Sequence, residues 1–329
     1  MSAQKWVRSS LRHLSTRLTA QGHAVSHQTV GRLLDKLGYA LHVNAKKLEA
    51  SARHPDRNAQ FEYIATQRAA FAAAGWPTIS VDTKKKELIG DFKNAGAAWS
   101  LEAAAVNVHD FPSDAQGRAV PYGIYDVTYN QGTVYVGASA DTPQFAVDVI
   151  ARWWTTVGQA LHGPAQHLLI LADAGGSNGC RPRLWKQQLQ EQLCDRLGLT
   201  VTVCHYPTGC SKWNPVEHRL FGPISLNWAG QPLRTWDTLL AYIRGTTTAT
   251  GLQVDAFRHD GCYETGRTVA QEDLDALNLE RHAVCPNWNY TLRPRTQATV
   301  ETARSAAGRA PMPDAPAAWE PPLRGELIL

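Results

Sequence analysis

The chain has 329 residues, of which 43% are hydrophobic, enough to bury a core in one large domain or in two to three small ones. No stretch approaches about 18 consecutive apolar residues, and residues 1–11 lack a signal-peptide pattern. We therefore expect a soluble cytoplasmic protein with no membrane partner, which would be nucleoid-associated if it binds DNA. The formal net charge is +4, but residues 1–70 contain 11 Lys or Arg against 4 Asp or Glu, which places the positive charge at the N-terminal end.

Two short helices are predicted within residues 5–40. Residues 22–25 predict a turn between them, and Ser26 is placed to cap the second helix. Their apolar residues recur at helical spacing: Leu11, Leu14 and Leu18 in the first helix, and Val30, Leu33, Leu34 and Leu37 in the second. This pattern is typical of a helix-turn-helix, although an ordinary helical hairpin with a solvated charged face would show it as well. In the first case the second helix presents side chains suited to base edges and phosphates: His27, Gln28, Arg32 and Lys36.

A helix predicted over residues 60–74 leads into a short apolar strand, Thr78 to Val81, which ends on Asp82. Three lysines come next: Lys84, Lys85 and Lys86. Such a run is usually a solvated turn, but if Asp82 belongs to a metal site it would equally suit a phosphate backbone. Residues 90–112 are polar and irregular, and we interpret them as an insertion before the next strand.

A hairpin and a helix are predicted after this insertion. Residues 122–129 and 133–139 alternate as two strands joined by a turn at residues 130–132. Thr142 and Pro143 have the positions of a cap and a first helical residue. The apolar residues that recur every four positions along this helix are Phe145, Val149, Trp153 and Val157. We expect the paired tryptophans, Trp153 and Trp154, to lie in the core rather than to stack on bases.

The next apolar run, residues 168–172, has the length of a buried strand and ends on Asp173. The sequence AGGSNG that follows lacks the spacing of a P-loop or of a dinucleotide-binding loop. We interpret it as a tight turn that lets a DNA backbone approach. Residues 181–197 predict an amphipathic helix that leaves Arg181 and Arg183 near this turn.

A third acidic residue follows the strand predicted at residues 199–205. Asn214, Pro215 and Glu217 have the spacing of an N-cap, a first-turn proline and a capping-box glutamate. Taken alone, Glu217 is more simply a capping residue. Asp82 and Asp173 change that interpretation, because acids at the carboxyl ends of neighbouring strands share one edge of a sheet. Three such acids would repel one another unless a cation lay among them, and their oxygens suit Mg²⁺ or Mn²⁺.

The remaining residues show no second catalytic pattern. Six cysteines form no CxxC pair, and Cys204, His205 and Cys210 have the spacing of no common zinc site, so we expect reduced structural thiols. Residues 225–295 contain a helix capped by Thr235 and an acidic helix near residues 271–277. From about residue 296 the chain is rich in Ala, Pro and Arg, which predicts a disordered tail.

Several motifs resemble one family of transposases. They are SVDTKKKELIGDFKNAG from Ser80, VNVHDF from Val106, PYGIYD from Pro121, ADAGGSNG from Ala172, SKWNPVEHRLF from Ser211 and NWNYTLRP from Asn287. With these motifs, in this order over residues 76–294, the chain resembles the ISAzo13 family, or Rhodopirellula-type, of DDE transposases of bacterial insertion sequences. The resemblance implies an RNase H-like catalytic fold in which Asp82, Asp173 and Glu217 are the acidic, metal-binding triad.

The expected fold class is α/β, an RNase H-like mixed sheet with flanking helices, preceded by a helical helix-turn-helix region. The expected domains are residues 1–58 for DNA binding, 59–75 for a connecting helix, 76–224 for the catalytic core, 225–295 for its C-terminal extension and 296–329 for the tail. The helix-turn-helix begins within about ten residues of Met1, earlier than in relatives of this kind. We therefore expect Met1 to be an internal start or a truncation, and recognition of the transposon ends to be weak.

The resemblance implies metal-dependent cleavage and strand transfer of double-stranded DNA, at transposon ends and target, by a homo-oligomer with two Mg²⁺ or Mn²⁺ ions in the site. The residues expected to contact the DNA backbone near the site are Lys84, Lys85, Lys86, Arg181, Arg183 and Lys212. Two alternatives stay open. One is an RNase H-like nuclease that only hydrolyses, and the other is a transposase remnant that binds DNA without cutting it.

Overall fold

The structure, a computed structural model, describes residues 10–40 and 54–295. The chain divides into two compact units, Met1–Ala52 and Arg53–Leu329. The tail predicted from residue 296 onward lies outside the described residues. None of the helices within the described ranges has both the length and the apolar character needed to cross a membrane.

In the first unit, two helices follow each other across a short turn. They are α1 (Leu11–Ala20) and α2 (His27–Lys36). The Ser26 side chain accepts a hydrogen bond from the Thr29 amide at 3.2 Å, which confirms the predicted cap. Along the apolar positions of α2, Val30 is 4% exposed, whereas Leu33 and Leu37 are 45% and 71% exposed. The helix-turn-helix pattern is therefore present in the backbone, with most of the second apolar face exposed.

The second unit is built on a mixed sheet. Its strands are β1 (Thr78–Thr83), β2 (Glu87–Ile89), β3 (Gly117–Asp126), β4 (Gln131–Gly137), β5 (His167–Asp173), β6 (Thr200–Tyr206), β7 (Gln253–His259), β8 (Leu279–Arg281) and β9 (Asn289–Leu292). The order is β7-β4-β3-β1-β5-β6-β9-β8, with β2 paired to β3. Strands β1, β5 and β6 are parallel neighbours, and β3 is antiparallel to β1 and β4. The central strands, β4-β3-β1-β5-β6, have the arrangement of an RNase H-like fold, as expected.

Helices cover both faces of this sheet. They are α3 (Arg57–Ala73), α4 (Pro143–Trp153), α5 (Gln159–His162), α6 (Arg183–Gln188), α7 (Gly222–Asn227), α8 (Trp236–Arg244) and α9 (Gln271–Asp275). Short π-helical segments follow α4 and α6 and precede α7. Successive strand residues face opposite sides, so both faces need a cover. One face packs against α4 and α6, and the other packs against α3, α7 and α8.

The local predictions around α4 are confirmed. The Thr142 side chain accepts a hydrogen bond from the Phe145 amide at 3.2 Å, and Pro143 is the first residue of the helix. Trp153 and Trp154 are 1% and 2% exposed, which places both in the core. These indole rings bury a large apolar area between α4 and the sheet, and they account for much of its packing.

The sheet differs from the expectation at its hairpin and at its edges. Strand β3 ends at Asp126, earlier than predicted, because the Asp126 carboxylate accepts hydrogen bonds from the amides of Thr128 and Tyr129 at 2.9 and 3.0 Å. Strand β7 extends the sheet at one edge, and β9 with β8 extends it at the other, although no strand was predicted after residue 224. Residues 90–111 form no helix or strand, as their composition predicted.

Candidate active site

Three acidic side chains meet at one edge of the central sheet. Asp82 lies near the end of β1 and Asp173 is the last residue of β5, and because these strands are parallel neighbours both acids lie at the same edge. Glu217 begins the π-helical segment that follows β6. The Asp82 and Glu217 side chains lie close enough to affect each other's pKa, and the charge of Asp173 also acts on Asp82. The structure thus brings the three predicted acids together.

Burial raises the pKa of each of these acids, and the charge of a neighbouring acid adds to the shift for Asp82 and Asp173. Burial is the largest cause for Asp82, whose pKa is raised to about 8, and the charge of Asp173 is the next cause. Burial raises the pKa of Asp173 to about 6, against a hydrogen bond from Asn214 that lowers it. The pKa of Glu217 is also raised by burial. Because the charge of a neighbouring acid raises the pKa of both Asp82 and Asp173, the three acids titrate as a coupled group.

This set of ligands suits a hard divalent cation. None of the ion pairs formed by the described residues includes Asp82, Asp173 or Glu217. Among the described residues the three acids therefore have no ion-pair partner, and Mg²⁺ and Mn²⁺ prefer such oxygen ligands. Within residues 10–40 and 54–295, no three acidic, His or Cys side chains converge closely enough to form a ready-made metal cage. A metal site made from these acids therefore requires side-chain movement.

Asn214 links the elements on which the acids lie. Its Oδ1 accepts a hydrogen bond from Ser80 Oγ at 2.5 Å. Its Nδ2 donates to the Val81 carbonyl at 3.1 Å and to Asp173 Oδ1 at 3.2 Å. Asn214 is fully buried, so all of these hydrogen bonds are shielded from water. They join β1, β5 and the segment after β6, and they orient the Asp173 carboxylate.

The predicted capping box at Asn214 is wrong in its side-chain partners. The Ser80 hydroxyl, on β1, accepts the amide of Val216 at 2.9 Å and so satisfies one of the free N–H groups at the start of this helix. The Asn214 amide donates to the Ser211 carbonyl at 2.8 Å instead of to the Glu217 side chain, which lies near Asp82. The cap is therefore supplied by a distant strand, and Glu217 is released to join the other acids.

A cavity of about 660 Å³ opens beside Asp82. Its charged lining residues are Asp82, Lys84, Lys85, Lys86, Glu87, Lys93, Asp110, Arg118 and Asp141. Lys84 is 8% exposed, its ammonium pairs with Glu87 at 2.8 Å, and it lies 4.4 Å from the centre of the Trp228 ring. Lys85 and Lys86 are exposed. Lys84 therefore anchors the loop after β1, and Lys85 and Lys86 are the two lysines of this run that DNA can reach.

Asp141 is a residue of this cavity that sequence reasoning missed. Its Oδ1 accepts a hydrogen bond from Thr83 Oγ1 at 3.0 Å, and its Oδ2 lies 3.9 Å from Lys86 Nζ. It precedes α4 in an irregular segment, where the sequence carries no functional pattern. Ser80 and Asn214 were also missed as site residues, since a lone serine in a strand gives no signal and Asn214 had a local explanation as a cap.

The other predicted DNA contacts lie in three places. Arg181 and Arg183 are exposed beside the glycine-rich turn after Asp173, where a second cavity opens. Lys212 is exposed, 5.7 Å from the centre of the Trp213 ring. The remaining four belong to α2 in the first unit, where Gln28, Arg32 and Lys36 are exposed and His27 is half-buried.

An RNase H-like sheet with acids near the carboxyl ends of its central strands is the arrangement expected of a protein of the DDE class. Residues 1–294 match the family described as the Rhodopirellula transposase DDE domain, and the chain belongs to this family. The match confirms the resemblance seen in the motifs. A comparison with curated proteins finds no match.

Among solved structures, the chain is similar to Mos1 transposase. Its paired-end complex with the left transposon end gives a TM-score of 0.45 at 13% identity, over 72% of this chain and 66% of that one. The Mos1 strand transfer complex gives a TM-score of 0.43 at 14% identity, over 72% and 65%. The mariner Mos1 paired-end complex with Mg gives 0.45 at 13% identity, over 72% and 66%. The chain thus spans just under two thirds of the length of the Mos1 chains.

Proposed function

We propose that the protein is a transposase that cleaves the ends of an insertion sequence and joins the freed 3′ hydroxyl to target DNA. The observation that carries this proposal is the cluster of Asp82, Asp173 and Glu217 at one edge of the sheet, in a chain of the DDE transposase family. Their pKa values are raised first by burial, and for Asp82 and Asp173 also by repulsion from a neighbouring acid, so the ionised cluster is costly in the protein alone. A divalent cation bound to double-stranded DNA at this edge would relieve that repulsion.

In this proposal Asp82, Asp173 and Glu217 hold two Mg²⁺ or Mn²⁺ ions. When bound, such ions activate the attacking hydroxyl and offset the charge that develops on the phosphate. The chain supplies no nucleophile of its own, and its part is to position the reacting groups. Asn214 fixes one oxygen of Asp173 through its Nδ2 bond, which keeps that carboxylate aimed at the edge of the sheet.

The basic side chains would bind the DNA backbone on both sides of the acids. Lys85 and Lys86 border the cavity beside Asp82, whereas Arg181 and Arg183 border the turn after Asp173. Lys212 and the exposed side chains of α2 would add further contacts, the latter including base edges. Because two transposon ends are joined to one target, we propose that the protein works as a homo-oligomer on DNA.

The test is DNA cleavage and joining by the Asp82→Asn, Asp173→Asn and Glu217→Gln variants, on DNA that carries the ends of the parent element. Each substitution keeps the shape and removes a charged ligand. Since metal ligation supplies several kcal/mol and about 1.4 kcal/mol is tenfold in rate, we expect each variant to lose roughly a thousandfold in cleavage rate. Asp255→Asn, at an exposed position on β7, is the matched control and should cut normally.

Three outcomes separate the alternatives. Cleavage without joining by the wild-type protein would identify a nuclease that only hydrolyses. Binding without cleavage would identify a DNA-binding remnant. If any of the three variants cuts at the wild-type rate, that residue is not a ligand of the reacting site.

A further inference from the structure

A second cavity, which we name the basic cavity, lies on the far side of the glycine-rich turn from Asp82. It has a volume of about 860 Å³. Its cationic side chains are Arg181, Arg183, Lys186 and Arg281, with His54 near its rim. Among the described residues that line it, Asp56 is the one carboxylate, and it faces His54 at 3.7 Å. The lining therefore has an excess of positive charge, which favours an anionic ligand.

Lys186 is the least expected of these cations, because it is only 4% exposed. Its ammonium donates to the Cys180 carbonyl and lies 5.3 Å from the centre of the Tyr290 ring. No ion pair of the described residues includes it. Burial lowers the pKa of Lys186 to about 8; Cys180 acts in the opposite direction, and the charge of Arg281 contributes to the lowering. A buried cation without a counter-charge costs free energy, which a bound anion would offset.

The glycine-rich turn between the two cavities leaves room for a nucleic-acid backbone to pass over it. Gly176 lines both cavities, and Gly175 lines the basic one. A Cβ atom placed at either glycine would meet nothing within 4 Å, so the space above the turn is open. Gly176 has a φ of +76°, a conformation that a side chain would strain. The turn begins at Asp173, so a ligand that crosses it passes the acidic cluster.

We propose that the basic cavity binds backbone phosphates of the DNA strand that flanks the cleavage position. Lys186 would hold a phosphate in its depth, with the exposed side chains of Arg181, Arg183 and Arg281 at its opening. The strand would enter over Gly175 and Gly176 and continue into the cavity beside Asp82. This inference rests on the proposed action on DNA, and it adds a binding site outside the acidic cluster and its neighbouring lysines.

The test is a salt titration of DNA binding by the full-length protein without metal. Lys186→Met and Arg281→Gln each remove one cation of the basic cavity, and Arg281→Lys restores the charge. Arg196→Gln is the matched control, because Arg196 is an exposed arginine just past the other end of the same helical segment. We expect each neutral variant to bind more weakly, with the slope of log K against log salt reduced by about 0.7 to 0.9 per lost phosphate contact. Arg281→Lys should recover the wild-type slope, and Arg196→Gln should keep it.

A thermal scan without DNA distinguishes an anion site from a structural lysine. If Lys186 is part of an anion-binding site, Lys186→Met should melt at or above the wild-type temperature, because the substitution removes a buried charge that has no counter-charge. A lower melting temperature for Lys186→Met, together with a wild-type salt slope for Arg281→Gln, would show that the cavity is structural and would overturn the inference.

Two further outcomes also decide the question. If inorganic phosphate raises the melting temperature of the wild type but not of Lys186→Met, and the DNA slopes are equal, the cavity takes a small free anion and the assignment to DNA is wrong. If the wild type cleaves DNA while both neutral variants bind with the wild-type slope, this inference fails and the proposed function stands. Absence of DNA binding by the wild type would overturn both.

Discussion

The hydroxyl of Ser80 connects two of the three acid-bearing elements, and its removal tests how the site is built. Ser80 Oγ accepts the Val216 amide at 2.9 Å and donates to Asn214 Oδ1 at 2.5 Å. All three residues are fully buried. The substitution Ser80→Ala keeps the shape of the strand and deletes one oxygen atom. It therefore leaves an amide at the start of a helix, and an amide oxygen beside it, without these partners.

The magnitude follows from these two lost bonds. A buried donor or acceptor left unsatisfied costs about 1–3 kcal/mol, and both groups are out of reach of water. Allowing for some relaxation, we expect Ser80→Ala to lower the free energy of unfolding by about 2–4 kcal/mol. In a domain of this size about 1 kcal/mol corresponds to roughly 2–4 °C, so the melting temperature should fall by roughly 4–16 °C.

The assay is urea and thermal unfolding beside a matched serine control. The Ser225 hydroxyl donates to the Phe221 carbonyl at 2.8 Å within its own helical segment. Ser225→Ala therefore leaves no buried polar group without a partner, and it should lower the free energy of unfolding by less than about 0.5 kcal/mol. Ser80→Ala should also reduce metal-dependent cleavage, because Asn214 then holds Asp173 less firmly. Equal stability of the two alanine variants would refute the view that Ser80 caps the helix before Glu217.

Three further predictions concern charge, capping and buried amides. The pKa of Asp82 is raised to about 8, above its ordinary value near 4, so the metal-free protein should lose stability as pH rises from about 4 through about 8. Asp82→Asn should flatten this loss in melting temperature, and an unchanged pH profile would contradict the shift. Ser26→Ala should destabilise α2 by about 1 kcal/mol, measured as faster hydrogen exchange of its amides but not of those in β5. Gln60→Leu should lower the free energy of unfolding in urea by about 2–4 kcal/mol, because the fully buried Gln60 side chain is hydrogen-bonded to the His205 carbonyl and to Asn289. A loss below about 1 kcal/mol would rule out this network as a major link between α3 and the sheet.

Local signals in the sequence were enough for the elements that carry the site. Ser26 and Thr142 cap helices as predicted, since a cap involves an oxygen and an amide only two or three residues apart. The strands before Asp82 and Asp173 were visible as apolar runs, because both faces of the central sheet are covered. Acids that end such parallel strands must share an edge, so their proximity followed from the pattern.

The same local signals gave the wrong role to residues whose contacts lie far away in the sequence. Asn214 has the local spacing of a cap, yet its partners Ser80 and Asp173 lie 134 and 41 residues away in sequence. Lys84 belongs to a run of exposed-looking lysines, yet it is buried by the Trp228 ring, which only the folded chain brings near. No window of neighbouring residues contains either contact.

The sequence by itself determined the family, the acidic triad as candidates and most of the helix starts, because each depends on residue type and on spacing along the chain. The tertiary structure decided that Glu217 lies near Asp82 instead of capping its own helix. It also decided that Lys186 is buried, with no ion-pair partner among the residues that the structure describes. The physical reason is that hydrogen-bond choice and charge burial are set by whichever groups the folded sheet and helices place within a few ångströms.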